Sequence, residues 1–447
     1  MSRNDSNRRR FLKQTALLAS VGTAGCASNV TNRFSSSDTT TTPDTSTPTS
    51  TATETPEEEK TPGEGEYSLE TNFNPRERFG RPGELLDDFE DLSAWSAMSG
   101  RLEKSSKSYA GSQSAKLVGQ DGSDVLVEYA AGGKDLSDTE VSMALRTTTP
   151  DRMAVNIRLV DVFGNSAVRS LRRISHIPSD PAWFRTAPGT FQTSGDALDL
   201  SQVQRVQVHL LNPTDKKVEA QIDDLRTHPK PDTGYVVLSW DDNRRAYYED
   251  AAPINDRHGF NVSMATAPRL VGQGERFMTV KQLKERQRAG DEIVAHASVT
   301  LGFEDMSGDE LDRKLRQNKK WLMNQGFEGG DTIVYPGNNF DATVLSTATN
   351  YHYAGGMNQA GDVNNTGVYS FDPLVMSRTI GWDLEIAKNV VDSAATHHNC
   401  GILNFHDFSL ENTMDVGDYE ELLNYIDRKS DVEVITLGEL WEKRKEA

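Results

Sequence analysis

The chain has 447 residues, with 48 Lys and Arg against 67 Asp and Glu, for a formal net charge of -19. That balance argues against a nucleic-acid partner, because phosphate binding needs a clustered excess of cations; it reads as a solvated acidic shell of the kind that suits high salt. The length leaves room for two or three domains, and with only two cysteines, Cys26 and Cys400, their stability must come from packed cores rather than a disulfide framework.

The N-terminus reads as an address. Asn7-Arg8-Arg9-Arg10-Phe11-Leu12-Lys13 resembles the twin-arginine export motif, and the weakly apolar run from Gln14 to Gly25 is too short to span a bilayer as a mature helix. Thr23-Ala24-Gly25-Cys26 resembles a lipobox, with Thr23 where Leu is usual, which makes Cys26 the expected lipidation site; an ordinary signal peptide cleaved nearby is the alternative. Residues 1–26 are therefore assigned to the leader and 27–83 to a disordered tether. Ser35 to Glu66 is almost entirely Ser, Thr, Pro, Glu, Asp and Gly, which cannot bury enough apolar surface to offset the entropy of ordering. The expectation is an exported protein on the outer face of the cell membrane, attached through a lipid anchor only. Sequons occur at Asn29, Asn261 and Asn364.

Residues 84–230 carry short alternating runs broken by Gly, Asp, Asn and Ser, among them Val125–Tyr129, Val155–Leu159 and Val206–Leu210. Strands at this spacing without intervening helices predict an all-β sandwich of jelly-roll type. Leu86–Glu90 and Ile222–Leu225 resemble the first and last strands of carbohydrate-binding-module sandwiches. That resemblance implies a structural calcium on Asp88, Glu90 and Asp223, or else plain turn acids at those positions. Trp95, Tyr109 and Trp183 either stack on sugar rings or belong to the core.

From 231 to 447 the period changes to alternating strand and helix. Tyr235–Trp240, Phe260–Ala265, Glu292–Ala295, Thr332–Tyr335, Tyr353–Gly355, Val375–Thr379, Ile402–Phe405 and Val432–Thr436 read as strands. Thr279 caps a helix stopped by Gly290, and Ser307 with Glu310 opens another that runs to Gly326. About seven such repeats predict a distorted (β/α) barrel, whose chemistry belongs on the loops after the strands. Asp241, Asp242, His296 and His406 fall on that face, whereas His258, His397 and His398 precede strands and fall on the opposite rim.

Four motifs in order then resemble one family. Ser239-Trp240-Asp241-Asp242-Asn243, Glu292 to His296, Val334-Tyr335-Pro336-Gly337 and Leu403-Asn404-Phe405-His406 are similar to the motifs of NodB-homology polysaccharide deacetylases, carbohydrate esterase family four. The resemblance implies Asp241 as general base, His406 as general acid, Asp242 and His296 as ligands of zinc or a similar divalent metal, and the Gly337 N–H at the oxyanion. The family's second histidine is Thr300 here, so one ligand is replaced by a hydroxyl, with Asp362 or Glu304 as oxygen substitutes. The arginine that often orients the base is absent from its usual place; Arg378 either takes it over or makes an ordinary ion pair, and Trp382 either walls the acetyl pocket or packs in the barrel. Two functions follow: a metal-dependent hydrolase that removes N- or O-acetyl groups from an extracellular or cell-surface polysaccharide, or a degenerate deacetylase fold that binds glycan.

Overall fold

The structure, a computed structural model, describes residues 67–195, 197–297, 302–410 and 413–447. The leader, Cys26, Asn29, the Ser35–Glu66 stretch and Thr300 lie outside the described residues. Among the described residues no helix is long and apolar enough to cross a membrane.

Residues 84–229 form two antiparallel sheets of six strands each. Strand Val218–Pro229 pairs with Thr139–Thr147 and Ser114–Gly119 in one, and Val203–Leu211 pairs with Val125–Lys134 and Ala154–Asp161 in the other. Every second residue points inward, as the two-residue side-chain period requires. Leu117, Leu145 and Ile222 from one sheet thus meet Val127, Ile157 and Val208 from the other in a single core. Trp95 is part of that core, stacked on Phe89 at 4.9 Å.

The remaining strands form a parallel sheet of nine, in the spatial order Ala354–Gly355, Thr332–Ile333, Glu292–Ala295, Ser263–Thr266, Gly234–Trp240, Cys400–Phe405, Met376–Ile380 and Met357–Ala360, with Val432–Val434 beside Gly234–Val236. The two ends of that path are one interrupted segment. At the interruption the Gly356 N–H donates to the Ile333 carbonyl at 2.8 Å and the Gly356 carbonyl accepts from Met376 N at 2.7 Å, so the sheet comes close to a closed barrel. Gly356 sits at φ +67 with the Leu374 carbonyl 1.7 Å from where a Cβ would lie. Gly356→Ala is therefore expected to destabilise the protein by at least about 1–2 kcal/mol, the cost of a left-handed L-residue before any clash is counted; urea denaturation of the variant measures it.

Helices Ala252–His258, Val280–Ala289, Gly308–Gln325, Ala342–Ala348, Leu384–His397 and Val416–Asp427 fill six of the crossovers, and Leu437–Glu446 closes the chain. The crossover 361–375 has no helix, and the sandwich takes its place. Gly367 N donates to the Ala187 carbonyl at 2.7 Å, Gly189 N to the Asn365 carbonyl at 2.8 Å, and the buried Glu140 accepts from Val368 and Tyr369 N–H groups.

Residues 67–83, expected to belong to the tether, are folded onto the barrel. Asn74 caps a short helix, Pro75–Phe79, with Pro at its first position. Phe73 stacks on Tyr353 at 4.7 Å, Phe79 meets Trp441 at 5.1 Å, and Arg76 pairs with Asp372 at 3.2 Å. Tyr353 and Asp372 precede their strands, so this strap crosses the floor of the barrel. Composition pointed to a tether through residue 83, but these few aromatic and basic side chains find partners far away in the chain.

Candidate functional site

The strand alternation that fills the barrel also builds the site. Tyr235, Val237, Val294, Met376 and Ile402 share the interior cluster, while their neighbours Val236, Leu238, Ile293, Val375 and Leu403 face the outer layer. Counting on in steps of two from the interior set reaches Asp241, His296, Arg378 and His406. Four polar side chains are thereby delivered to one mouth by the same periodicity that packs the apolar floor below them. The backbone after Trp240 turns sharply, with Asp242 at φ +69 and Asn243 at φ +42, a region that Asp and Asn tolerate better than other side chains.

Asp241 is 2 % exposed and is gripped by Arg378, whose two terminal nitrogens donate to its two oxygens at 3.2 and 2.9 Å. Such a planar fork fixes the carboxylate's orientation as well as its charge. Burial would raise the Asp241 pKa, but Arg378 and then His406 and His296 outweigh it and hold it below the usual carboxylate range. His406 Nε2 lies 3.7 Å from Asp241 Oδ2, its side chain 29 % exposed at the mouth. Loss of hydration pushes the His406 pKa down despite the nearby carboxylates.

Asp242 Oδ1 lies 3.5 Å from His296 Nε2, and its Oδ2 accepts from Arg244 at 3.0 Å. Burial opposes the charge on Asp242, but His296, His406 and Arg244 hold its pKa far below the ordinary value. His296 Nδ1 is 2.9 Å from the Val334 carbonyl, which can only accept, so that nitrogen carries the hydrogen and Nε2 is turned toward Asp242. Burial works against a charged ring there, yet Asp242 and Asp241 raise the His296 pKa. An imidazole oriented through its other nitrogen beside an ionised carboxylate is a donor pair that fits a divalent ion. Among the described residues no group of three His, Cys, Asp or Glu side chains gathers as a ligand set.

Arg244 was not legible as a site residue. It stands two positions past Asp242, and a turn with two left-handed residues brings its guanidinium back onto that carboxylate, where it also lies over the Phe277 ring at 4.9 Å. Gly337 lies in the short turn Pro336–Asn338 at the mouth, at φ +66. Trp382 donates to the Gly361 carbonyl at 3.1 Å and, with Trp240, Phe405 and His406, lines a cavity of about 20 Å³, room for one water-sized group.

Several expectations are corrected. Asp362 does not face the metal pair; its Oδ2 accepts from Arg172 of the sandwich at 2.8 Å and its Oδ1 from Val363 N. Of the two readings of Asp88, Glu90 and Asp223, the contacts match turn acids: the three do not gather as a ligand group among the described residues, and main-chain N–H groups donate to each, Glu90 N to Asp88, Ser112 and Gln113 N to Glu90, and Tyr109, Ala110 and Asp224 N to Asp223. Tyr109 is occupied as well, its hydroxyl on the Gly80 carbonyl and its ring edge-on to Trp183 at 6.1 Å. The Asn364 sequon is buried and fully hydrogen-bonded, so a glycan there is incompatible with the fold. His258, His397 and His398 lie on the rim away from the site; His398 Nδ1, for example, is 3.2 Å from the Pro231 carbonyl below the first barrel strand.

No family model matches the chain. It is similar to the putative polysaccharide deacetylase YxkH of Bacillus subtilis (strain 168), 23 % identical over 133 residues, which are 30 % of this chain and 47 % of that protein. The chain thus spans about half the length of this curated relative. Solved structures with similarity include the Xyl-CE4 domain of a multidomain xylanase from the hindgut metagenome of Trinervitermes trinervoides, 17 % identical over 48 % of this chain and 92 % of that one at a TM-score of 0.35. The peptidoglycan deacetylase PdaC of Bacillus subtilis is 13 % identical over 48 % of this chain and 94 % of its own, again at 0.35. A family 4 acetyl xylan esterase from Clostridium thermocellum, in complex with cobalt, is 13 % identical over 46 % and 90 % at 0.32.

Proposed function

We propose that the protein is a deacetylase that hydrolyses N- or O-linked acetyl groups on an extracellular or cell-surface polysaccharide. One observation carries the reading: an arginine-forked carboxylate, Asp241, stands beside His406 and the Asp242–His296 pair at the open end of a parallel barrel. The four ordered sequence motifs and the partial similarity to a putative polysaccharide deacetylase support it. The twin-arginine-like leader and the Ser/Thr/Pro stretch support export and a lipid-held location.

In this reading Asp241, ionised and fixed by Arg378, accepts the proton of the attacking water, and His406 delivers a proton to the departing amine or alcohol. Trp382, beside His406 at the small cavity, would wall the acetyl methyl. The Gly337 N–H donates to the oxyanion. Asp242 and His296 would hold a divalent metal, which when bound polarises the acetyl carbonyl and makes water a better nucleophile at neutral pH.

The test is acetate release and metal content measured on one preparation of the purified protein, with and without chelator, at low and high salt. About one divalent ion per chain and chelator-sensitive acetate release from acetylated glycans are expected; a metal-free protein inert on every acetylated glycan overturns the reading. A second reading, a glycan-binding protein on a deacetylase-like barrel, is favoured by Arg244, which already occupies one oxygen of the Asp242 carboxylate. Glycan binding without turnover is the outcome that would select it.

A further inference from the structure

Arg378 is held at both ends by groups that the sandwich holds in turn. At the guanidinium end, its Nε donates to Asn338 Oδ1 at 2.9 Å. At the backbone end, its carbonyl accepts from Asn364 Nδ2 at 3.3 Å, and the same Nδ2 donates to the Asn358 carbonyl at 2.8 Å.

Both asparagines are tied to one sandwich segment, Arg172–Ile177. Arg172 N–H donates to Asn364 Oδ1 at 2.9 Å, and Ser175 N–H to Asn358 Oδ1 at 2.6 Å. The loop that carries Asn338 is bonded to the segment from both sides: Ile177 N donates to the Phe340 carbonyl at 2.8 Å, and Phe340 N to the Ser175 carbonyl at 3.3 Å. The His176 ring lies edge-on to Phe340 at 5.6 Å. Asn338 itself sits at φ +63, the conformation in which its carboxamide reaches Arg378. The segment is fastened by Arg172, whose guanidinium pairs with Asp362 and lies over the Phe191 ring at 4.4 Å. Asn358, Asn364, His176, Phe340 and Arg378 are all buried, so these bonds are not exchanged with water.

A long arginine carries about 2 kcal/mol of rotamer freedom, and its fork grips a carboxylate only when both are coplanar. Fixing Nε and the backbone at once leaves one orientation. We infer that the sandwich is a working part of the barrel's site: its Arg172–Ile177 segment, acting through Asn338 and Asn364 as positioning residues, sets the Arg378 fork on Asp241. The kinetic part of this inference rests on the deacetylase reading; the geometric part does not.

The experiment uses the full chain and two readouts. Arg172→Met loosens the segment from the sandwich side, Asn338→Gly suits the backbone angle while removing the carboxamide, and Asn338→Asp restores an acceptor. In ¹⁵N-arginine-labelled protein, hydrogen exchange at the Arg378 Nε–H is expected to quicken at least about tenfold in Arg172→Met and Asn338→Gly and to slow again in Asn338→Asp. For acetate release, kcat should fall about 10- to 100-fold with KM nearly unchanged, as expected when a reacting group is misplaced by a fraction of an ångström to an ångström. A purely structural role would lower the melting temperature and move neither readout in the folded fraction. Unchanged exchange and unchanged kcat in folded Arg172→Met overturn the inference. If Arg172→Met does not fold, Asn364→Asp, which keeps the acceptor for Arg172 N–H but loses the donors to Arg378, takes its place under the same criteria. If the wild type releases no acetate, the deacetylase reading fails and Nε–H exchange alone decides the positioning role.

Discussion

Asp241→Asn is expected to lower acetate release by about 10²–10⁴-fold, the range a positioned proton acceptor contributes, while the protein still folds. The carboxamide keeps one oxygen to accept from Arg378, and the Arg378 Nε retains Asn338, so the guanidinium is not stripped of partners. What is lost is the only fully buried carboxylate that faces both Arg378 and His406 among the described residues. Circular dichroism and a thermal melt establish the fold, and initial rates on the substrate that the wild type accepts establish the loss. Turnover within a few-fold of wild type would remove Asp241 from the reaction.

The largest effect on stability is expected from Arg378→Met. It leaves Asp241 buried without its partner, and breaking a buried pair from one side costs about 3–5 kcal/mol. The pH dependence should change sign. In the wild type the folded-state pKa of Asp241 is depressed, so the pair's contribution is present above the ordinary aspartate value of about 4 and is lost as pH falls through the folded value. In Arg378→Met burial is no longer outweighed by the guanidinium, the folded pKa rises, and the unfolded chain ionises first; stability then falls as pH rises. Urea midpoints of both proteins at about pH 3, 5 and 8 bracket the two windows, the wild type's between pH 3 and 5 and the variant's above it. A variant whose midpoint drops between pH 5 and 3 as the wild type's does would mean that Arg378 is not what holds the charge.

Much of this site could be read from the chain because strand ends are local. Asp241, His296 and His406 each stand directly after an apolar run, and Arg378 stands one step of two beyond an interior methionine. The helix borders at Thr279, Gly290, Ser307 and Gly326 were legible for the same reason, since caps are written within a few residues. Asn338, Asn364 and Arg172 were not, because their meaning lies in bonds between segments more than 100 residues apart or in a turn whose angles the sequence does not print. Strands 95–99 and 101–105 escaped because these largely exposed edge strands lack a clean alternation. The final helix, Leu437–Glu446, did carry a local sign, the Thr436 and Glu439 capping box, that went unread.

The strap has a directional consequence. Tyr67 lies under Lys319, which pairs with Asp331 just before the Thr332–Ile333 strand, so the N-terminal extension joins the body at the barrel's lower end. Asp241 and His406 open at the other. The first described residues, at Tyr67, and the mouth that carries Asp241 and His406 thus lie at opposite ends of the barrel, so the strap can bear on the floor without entering the opening.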